Sequence, residues 1–538
     1  MATELGQFDF IIAGGGSAGC VLANRLSAGG RYHVALIEGG GRDNWIWFHI
    51  PVGYLFAIGN PKADWLYRTE PIAGLNGRDL AYPRGKVLGG SSAINAMIYM
   101  RGQAADYDGW KQQGLKGWGW DDVLPIFKMH EDNWRGASAV HGAGGEWRVD
   151  RPRLSWEVLD SFIEAAGEAG IPTSDDFNTG SNEGCGYFDV NQKRGRRWSA
   201  ARGFLQPALN RPNLTVIANA TVDRVVFDGK RATGVVVLQN GQERQINARA
   251  EVIISAGAVA TPAILERSGI GDAQRLGDLG VPITHDAPGV GENLQDHLQL
   301  RPIYKVSNVP TLNMQYKSLL RRGLMGLEYA LMRRGAMTMA PSQLGAFTRS
   351  SDRFETPNIQ MHIQPLSLDK FGDSMHGFPA ITTSVCNLRP TSRGSIHARS
   401  SDANAAPVIA PNYLATEEDR QVAVDSVKVV RNVMSQKAMA AYSPEEFRPG
   451  AHLVSEAELV AAAAEIGTTI FHPVGTAKMG MANDPMAVVD ERLRVYGTSH
   501  LRIVDASVMP NIVSGNTNSP TIMIAEMASQ MILEDARA

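Results

Sequence analysis

The chain has 538 residues, which is long enough for more than one folding unit. Its hydrophobic fraction of 44%, charged fraction of 20% and net charge of −3 fit a soluble globular enzyme and argue against a nucleic-acid binder. The twelve histidines show no metal-ligand spacing, and Cys20, Cys185 and Cys386 lie far apart with no C-x-x-C pair, so no metal site and no disulfide framework is expected. Free thiols fit a reducing, cytoplasmic setting. The segment from Met1 to Gly6 lacks a basic stretch followed by an apolar run, so no secretory leader is expected. No apolar run reaches the ~18 residues that a membrane-spanning helix needs.

Residues 9–13 read as a short buried strand, 14–19 as a turn, about 18–26 as a helix and 33–38 as a second strand, together one β-α-β unit. Gly14, Gly16 and Gly19 fit G-x-G-x-x-G. In that motif the first glycine permits a tight turn, the second lets the backbone approach a pyrophosphate, and the third lets the helix pack on its strand. Ser17 and Ala18 stand at the helix N-terminus, which faces the phosphates in such units. Glu38 follows Gly19 by 19 residues, near the spacing at which a carboxylate meets a ribose hydroxyl. The motif by itself leaves NAD and FAD open.

Residues 84–95 carry Gly85, Gly89, Gly90, Ser91 and Ser92 between apolar residues. Side chains this small let the backbone come close to a flat or charged ligand, and successive N–H groups form an anion-binding concavity. Arg84 and Lys86 add positive charge beside it. Further on, 214–218, 221–227 and 234–238 alternate like strands, with the turn Asp228-Gly229 between two of them. Residues 251–255 read as a strand, followed by Gly257 and a helix near 261–268; a strand at 501–504 and a helix at 521–533 come last.

The stretch from about 310 to 455 differs, with strand-like pieces at 358–363, 380–386 and 394–398 among amphipathic helices, and reads as a second, interrupting domain. Within it, Leu320, Leu324, Leu327, Leu331 and Met332 share one helical face, flanked by Lys317, Arg321, Arg322, Arg333 and Arg334. A hydrophobic stripe usually faces a core, so the expectation is an ordinary helix of the middle domain. The alternative is a basic amphipathic helix lying on the inner face of an anionic membrane.

Late in the chain, residues 471–480 form a segment of small and polar residues around His472, with Pro473 fixing the backbone after it. Asn516 follows 44 residues later.

The segment 84–95 closely resembles the first signature of the glucose–methanol–choline (GMC) oxidoreductases, a family of FAD-dependent, alcohol-oxidising flavoproteins. Residues 257–271 resemble its second signature, 289–297 another family block, and Val504-Asp505-Ala506-Ser507 precedes the last helix as in the family. The sequence looks most like the bacterial choline dehydrogenase and aliphatic alcohol dehydrogenase members. The resemblance implies an α/β fold: a Rossmann-like FAD domain from 1–155, 195–310 and 456–538, and an α+β substrate domain with an antiparallel sheet from 156–194 and 311–455.

It implies FAD contacts from Gly14, Gly16, Ser17, Ala18, Gly19 and Glu38 in the first unit. Arg84, Val87, Gly89, Gly90, Asn95, Ala96 and Met97 are implied around the first signature, and Val222, Asp505, Ala506 and Thr517 elsewhere. Some members link FAD to a histidine at the position of Ile94, which cannot form that bond, so non-covalent FAD is expected. The resemblance also places His472 and Asn516 side by side at the flavin N5. Neutral imidazole suits a general base, and the amide holds the same oxygen without titrating. The flavin takes the hydride of a primary alcohol, and oxygen or a quinone takes the electrons. His297 reads as a structural residue beside the cofactor domain. The competing reading is an FAD-containing hydroxynitrile lyase-type C–C lyase without net redox change. No carboxylate-plus-aromatic arrangement for a quaternary ammonium is legible.

Overall fold

Val34–Glu38 is apolar up to its terminal glutamate and buried at all five positions, the mark of a strand covered on both faces. In the computed structural model, which describes residues 3–369 and 373–537, it lies inside a seven-stranded sheet. That sheet comprises β1 (Thr3–Ala13), β2 (Val34–Glu38), β3 (Leu214–Ala218), β4 (Thr221–Asp228), β5 (Arg231–Gln239), β6 (Gln242–Ile254) and β7 (Leu501–Ile503). β3, β2, β1, β6 and β7 are parallel neighbours in that order. β6 is long enough to serve twice along one edge. Its first half pairs antiparallel with β5, which pairs with β4, and its last residues pair with β7.

The helices α1 (Ser17–Ser27), α2 (Gly257–Arg267), α3 (Leu319–Met332) and α4 (Asn518–Asp535) matter most for function. α1 packs on α4 and on the sheet, so segments from both ends of the sequence share one core. α2 starts at Gly257 itself, four residues before the expected start, because Asp505 accepts hydrogen bonds from the Gly257 N–H and the Thr261 hydroxyl and so caps its first turn.

A second, antiparallel sheet of eight strands has its own core. Its path runs Glu445–Arg448, Ile303–Lys305, Ala380–Asn387, Ile359–Gln364, Leu344–Thr348, Gly184–Tyr187. Leu298–Leu300 and Thr468–Thr469 join beside Ala380–Asn387. Three of these strands, Leu298–Leu300, Ile303–Lys305 and Thr468–Thr469, come from stretches that the sequence reading gave to the cofactor domain. Ser395–His397 pairs with Val408–Ala410 in a separate ribbon instead of joining this sheet.

α3 departs from expectation. Its leucine stripe is exposed, and Tyr329 is its buried residue. The reason lies in what already covers the second core. The helices Glu417–Met434 and Glu157–Glu168 pack against each other there, with the first lying on the strand Ala380–Asn387. α3 is left on the outside.

Candidate active site

The C-terminal ends of β1 and β6 open into one continuous cavity. Gly14 has φ +120°, and a Cβ there would stand 2.3 Å from the Ser255 carbonyl oxygen. A Cβ on Gly19 would stand 1.9 Å from the Gly14 carbonyl oxygen, so this glycine lets α1 close onto β1. Gly16 lines the cavity and has open space where a side chain would be. It is also the N-cap of α1, with no side-chain cap and no acidic residue in the first turn. Unpaired N–H groups and the positive end of the helix dipole therefore meet the cavity.

A second glycine turn lies on the first. The Gly89 N–H donates to the Gly15 carbonyl at 2.8 Å, and a Cβ on Gly90 would come within 2.8 Å of Gly16 Cα.

Gly14, Gly16, Ser17, Ala18 and Glu38 line the near end of this cavity. Gly90, Asn95, Ala96 and Met97 line it too, with Val222, Asp505, Ala506 and Thr517; His472 and Asn516 line its far end, beside Arg84. Three expected contacts do not line it. Gly19 packs behind Gly14, Gly89 is bonded to Gly15, and the Val87 side chain is buried in an apolar cluster with Phe48, Ala63 and Ile94. They shape the cradle from behind because the turns that expose Gly16 and Gly90 turn these neighbours inward.

Glu38 accepts from the Gly15 N–H at 3.0 Å and the Gly40 N–H at 2.7 Å, and burial raises its pKa to about 7. Asn95 Oδ1 accepts from the Met97 N–H and from Arg197, which leaves the Asn95 amide hydrogens for the cavity. Asn518 Oδ1 accepts from Ser17 Oγ, but its buried Nδ2 has no partner among the described residues. A buried donor without an acceptor is costly unless a ligand completes it. With the open Gly16 and the uncapped helix end, this donor fits a bound dinucleotide.

The far end is built around two histidines that the sequence separates by 175 positions. His297 Nε2 lies 3.1 Å from the Leu388 carbonyl oxygen, which can only accept, so Nε2 carries a proton. Burial lowers the His297 pKa to about 4, so the ring is neutral and its Nδ1 is a lone pair. His472 Nδ1 lies 3.0 Å from that lone pair and must donate to it. His472 Nε2 is then unprotonated, and it faces Asn516 Nδ2 at 3.1 Å. Gln360 Nε2 donates to Asn516 Oδ1, which fixes the amide orientation. Burial, and then His297, His362 and Arg84, hold the His472 pKa well below its ordinary value.

The backbone at His472 is held as firmly as its ring. Phe471 has φ +71°, a strained value for a bulky residue. Its carbonyl accepts from Arg84 Nη2 at 2.7 Å, and its N–H donates to Thr469 Oγ1 at 2.7 Å. The His472 N–H donates to Asp296 Oδ1 at 2.8 Å. The other oxygen of buried Asp296 accepts from the hydroxyls of Tyr82, Tyr413 and Thr469.

Gln299, Ser342, His362 and Gln364 face the same end of the cavity. Burial lowers the His362 pKa to about 3, and its Nε2 has no partner among the described residues. The only carboxylates among the described lining residues are Glu38, at the Gly14 end, and Asp505, bound to the start of α2. The wall near His472 therefore presents no carboxylate, and its nearby charge is the Arg84 guanidinium. Among the described residues no cluster of three or more metal-ligating groups occurs, and no helix is long and apolar enough to cross a membrane.

Sequence reasoning missed the role of His297 and of Asp296, although both stand in the family block at 289–297. It also missed His362, whose only signal was a place in an alternating strand.

A family model described as GMC oxidoreductase matches residues 8–299, and a second of the same description matches residues 390–525. Alcohol dehydrogenase (acceptor) of Pseudomonas putida is 42% identical over 531 residues, spanning 98% of this chain and 96% of that protein. An oxygen-dependent choline dehydrogenase of Stenotrophomonas maltophilia (strain K279a) is 40% identical over 531 residues, spanning 98% and 95%. Among solved structures, pyridoxine 4-oxidase from Mesorbium loti superposes with a TM-score of 0.88 at 31% identity, over 97% of this chain and 98% of that one.

Proposed function

The chain belongs to the GMC oxidoreductase family, FAD-dependent enzymes acting on CH–OH donors, and on that footing we propose that it oxidises an uncharged primary alcohol to its aldehyde. The observation that carries this reading is the unprotonated His472 Nε2 beside Asn516 Nδ2 in the cavity wall. FAD, when bound, supplies the hydride acceptor. The uncapped start of α1 and the Gly89-Gly90 turn would hold its pyrophosphate, and Glu38 its ribose. Asn518 Nδ2 gains its missing acceptor there. Ile94 lines the cavity and offers no nucleophile, so the cofactor is held without a covalent link.

His472 Nε2 takes the hydroxyl proton of the alcohol, and Asn516 Nδ2 donates to the same oxygen as negative charge develops on it. His297 keeps the His472 proton on Nδ1 throughout, and Asp296 and Arg84 keep the ring in place. The strand Ile359–Gln364 brings His362 and Gln364 to the cavity, and Gln360 behind them to Asn516. Oxygen or a quinone takes the electrons.

A wall near His472 with a guanidinium and no carboxylate distinguishes this reading from choline oxidation. A quaternary ammonium would be desolvated there beside Arg84, with the lining carboxylates Glu38 and Asp505 already bound elsewhere, to the Gly15 and Gly40 N–H groups and to the start of α2. The test is an anaerobic panel of alcohols scored by bleaching of the flavin. Uncharged primary alcohols bleach it and choline does so far more slowly; a preference for choline refutes the substrate class. His472→Ala keeps FAD but reduces it roughly 100-fold more slowly or worse. Unchanged reduction in that variant removes His472 from the mechanism. A wild-type flavin that no alcohol bleaches points instead to the lyase chemistry. Acid precipitation releases the yellow colour into solution; a coloured pellet refutes non-covalent binding.

A further inference from the structure

Leu320, Leu324, Leu327 and Leu331 recur at helical spacing along one face of α3, and they are 73%, 54%, 55% and 72% exposed. Leu319 and Met332 extend the face at its two ends and are also exposed. Tyr329 stands on the opposite face, buried, with its hydroxyl donating to the Gly195 carbonyl at 3.1 Å. α3 is thus anchored by its back and presents its apolar front to solvent. Single exposed leucines are ordinary, but a contiguous stripe marks an interaction surface.

The rim of the stripe says what kind. Lys317, Arg321 and Arg334 stand beside it against one acid, Glu328, which pairs with Arg334 at 3.0 Å, while Arg322 and Arg333 lie toward the back, their guanidinium groups over the Tyr316 and Tyr329 rings. Exposed basic residues continue on neighbouring segments. Arg153 Nη1 donates to the Arg333 carbonyl at 3.0 Å, and Lys193, Arg194 and Arg196 surround the Gly195 to which Tyr329 is bonded. This concentration of positive charge occurs in a chain whose net charge is −3.

We propose that α3 lays its leucine stripe into an anionic phospholipid surface, with the surrounding arginines and lysines on the headgroup phosphates. An amphipathic helix with a basic border binds in this way, through buried apolar area together with attraction to anionic lipid. A second copy of the chain is a poorer occupant. In a two-fold dimer the same patch meets itself, so the basic rim would face a basic rim.

The apolar surface does not end with the helix. The turn Ala336–Thr338, just after α3, packs on Pro51–Gly53, and Ile46, Leu55 and Phe56 near that turn are exposed. Tyr54, Pro341 and Ser342, from the same two segments, line the cavity. The docking surface is thus joined through a few residues to the cavity wall, which suits exchange of an apolar alcohol or a lipid-dissolved electron acceptor with the membrane.

The FAD-loaded full chain, floated on a density gradient with vesicles, provides the test. It rises with vesicles of equimolar phosphatidylcholine and phosphatidylglycerol, stays down with phosphatidylcholine alone, and is released by raised salt. The triple variant Leu320→Glu/Leu324→Glu/Leu331→Glu changes side chains that are already exposed. It loses vesicle binding while alcohol-driven flavin bleaching, measured separately, stays as in the wild type. Lys317→Glu/Arg321→Glu weakens binding at least 10-fold, from about fivefold per basic side chain. Flotation of the triple variant like the wild type overturns the proposal, as does failure of the wild type to rise. Light scattering that shows a wild-type dimer, converted by the triple variant to monomer without any vesicle binding, assigns the face to self-association and also overturns it.

Discussion

Replacing His297 with phenylalanine tests the hydrogen-bond argument at the active site. The ring of His297 does not line the cavity, so it touches neither cofactor nor alcohol. Its work is to present a lone pair to His472 Nδ1 at 3.0 Å, which keeps the proton off Nε2. In His297→Phe that Nδ1–H has no acceptor, and the proton can move to Nε2, turning the base into a donor. Leaving a buried donor unsatisfied costs about 1–3 kcal/mol, and each ~1.4 kcal/mol is tenfold in rate. Flavin reduction by a saturating alcohol, followed anaerobically by stopped flow, is therefore expected to slow by roughly 5- to 150-fold. The apparent Kd for the alcohol and the FAD content stay near wild type. His297→Asn places Oδ1 where Nδ1 stood and recovers most of the rate. Wild-type reduction in His297→Phe refutes the reasoning. Equal slowing in the Asn and Phe variants makes the role one of packing.

Three further predictions follow from the same geometry. Asp296→Asn keeps the shape but removes the charge that collects the His472 N–H and three hydroxyls; it is expected to cost about 1.5–3 kcal/mol in chemical denaturation and to slow flavin reduction. Gly90→Ala meets Gly16 Cα at 2.8 Å with φ +52°; FAD titration of the apoprotein should show affinity at least ~10-fold weaker, since the left-handed backbone alone costs about 1–2 kcal/mol. The pH profile follows from buried neutral histidines. His472 titrates well below 6.5, so kcat/KM for the alcohol stays flat as pH falls through 6.5 and declines only in more acidic buffer, when the base gains a proton.

Stability obeys the same sign. Burial holds His130, His297 and His362 at about 3, 4 and 3, so below pH 6.5 the unfolded chain binds more protons than the native one. Each should remove ~2 kcal/mol by pH 5. His141 opposes them: against burial, its hydrogen bonds to Asp176 and Glu131 raise it to about 9, so its contribution is full below 6.5 and fades as pH rises through 9. Thermal melts from pH 8 to pH 5 that show no fall in Tm on the acid side contradict this assignment.

Local backbone rules made the cofactor end legible. Gly14, Gly16 and Gly19 were readable because each answers to a contact within a few residues or to the neighbouring strand, and the β-α-β unit around them declares itself by period. Glu38 was legible by spacing, yet its ties to the Gly15 and Gly40 N–H groups were not. The family block at 289–297 was visible as a pattern. Its chemistry was not, because Asp296 meets Tyr82 across 214 positions and His297 meets His472 across 175. Val87 and Gly89 share a segment with true cavity residues, and only the turn geometry shows which of them face the cavity and which face away.

The amino-acid order by itself determined the two glycine turns and the strand and helix periods, because these depend on neighbours along the chain; the pairing of His472 with Asn516 came only through the family resemblance. Only the tertiary structure decided which nitrogen of His472 is left unprotonated, how its backbone is held, and that the leucine stripe of α3 turns outward. A ring's proton is placed by what lies across from it, and an amphipathic helix faces whatever surface the other helices leave uncovered. Neither is written in local sequence.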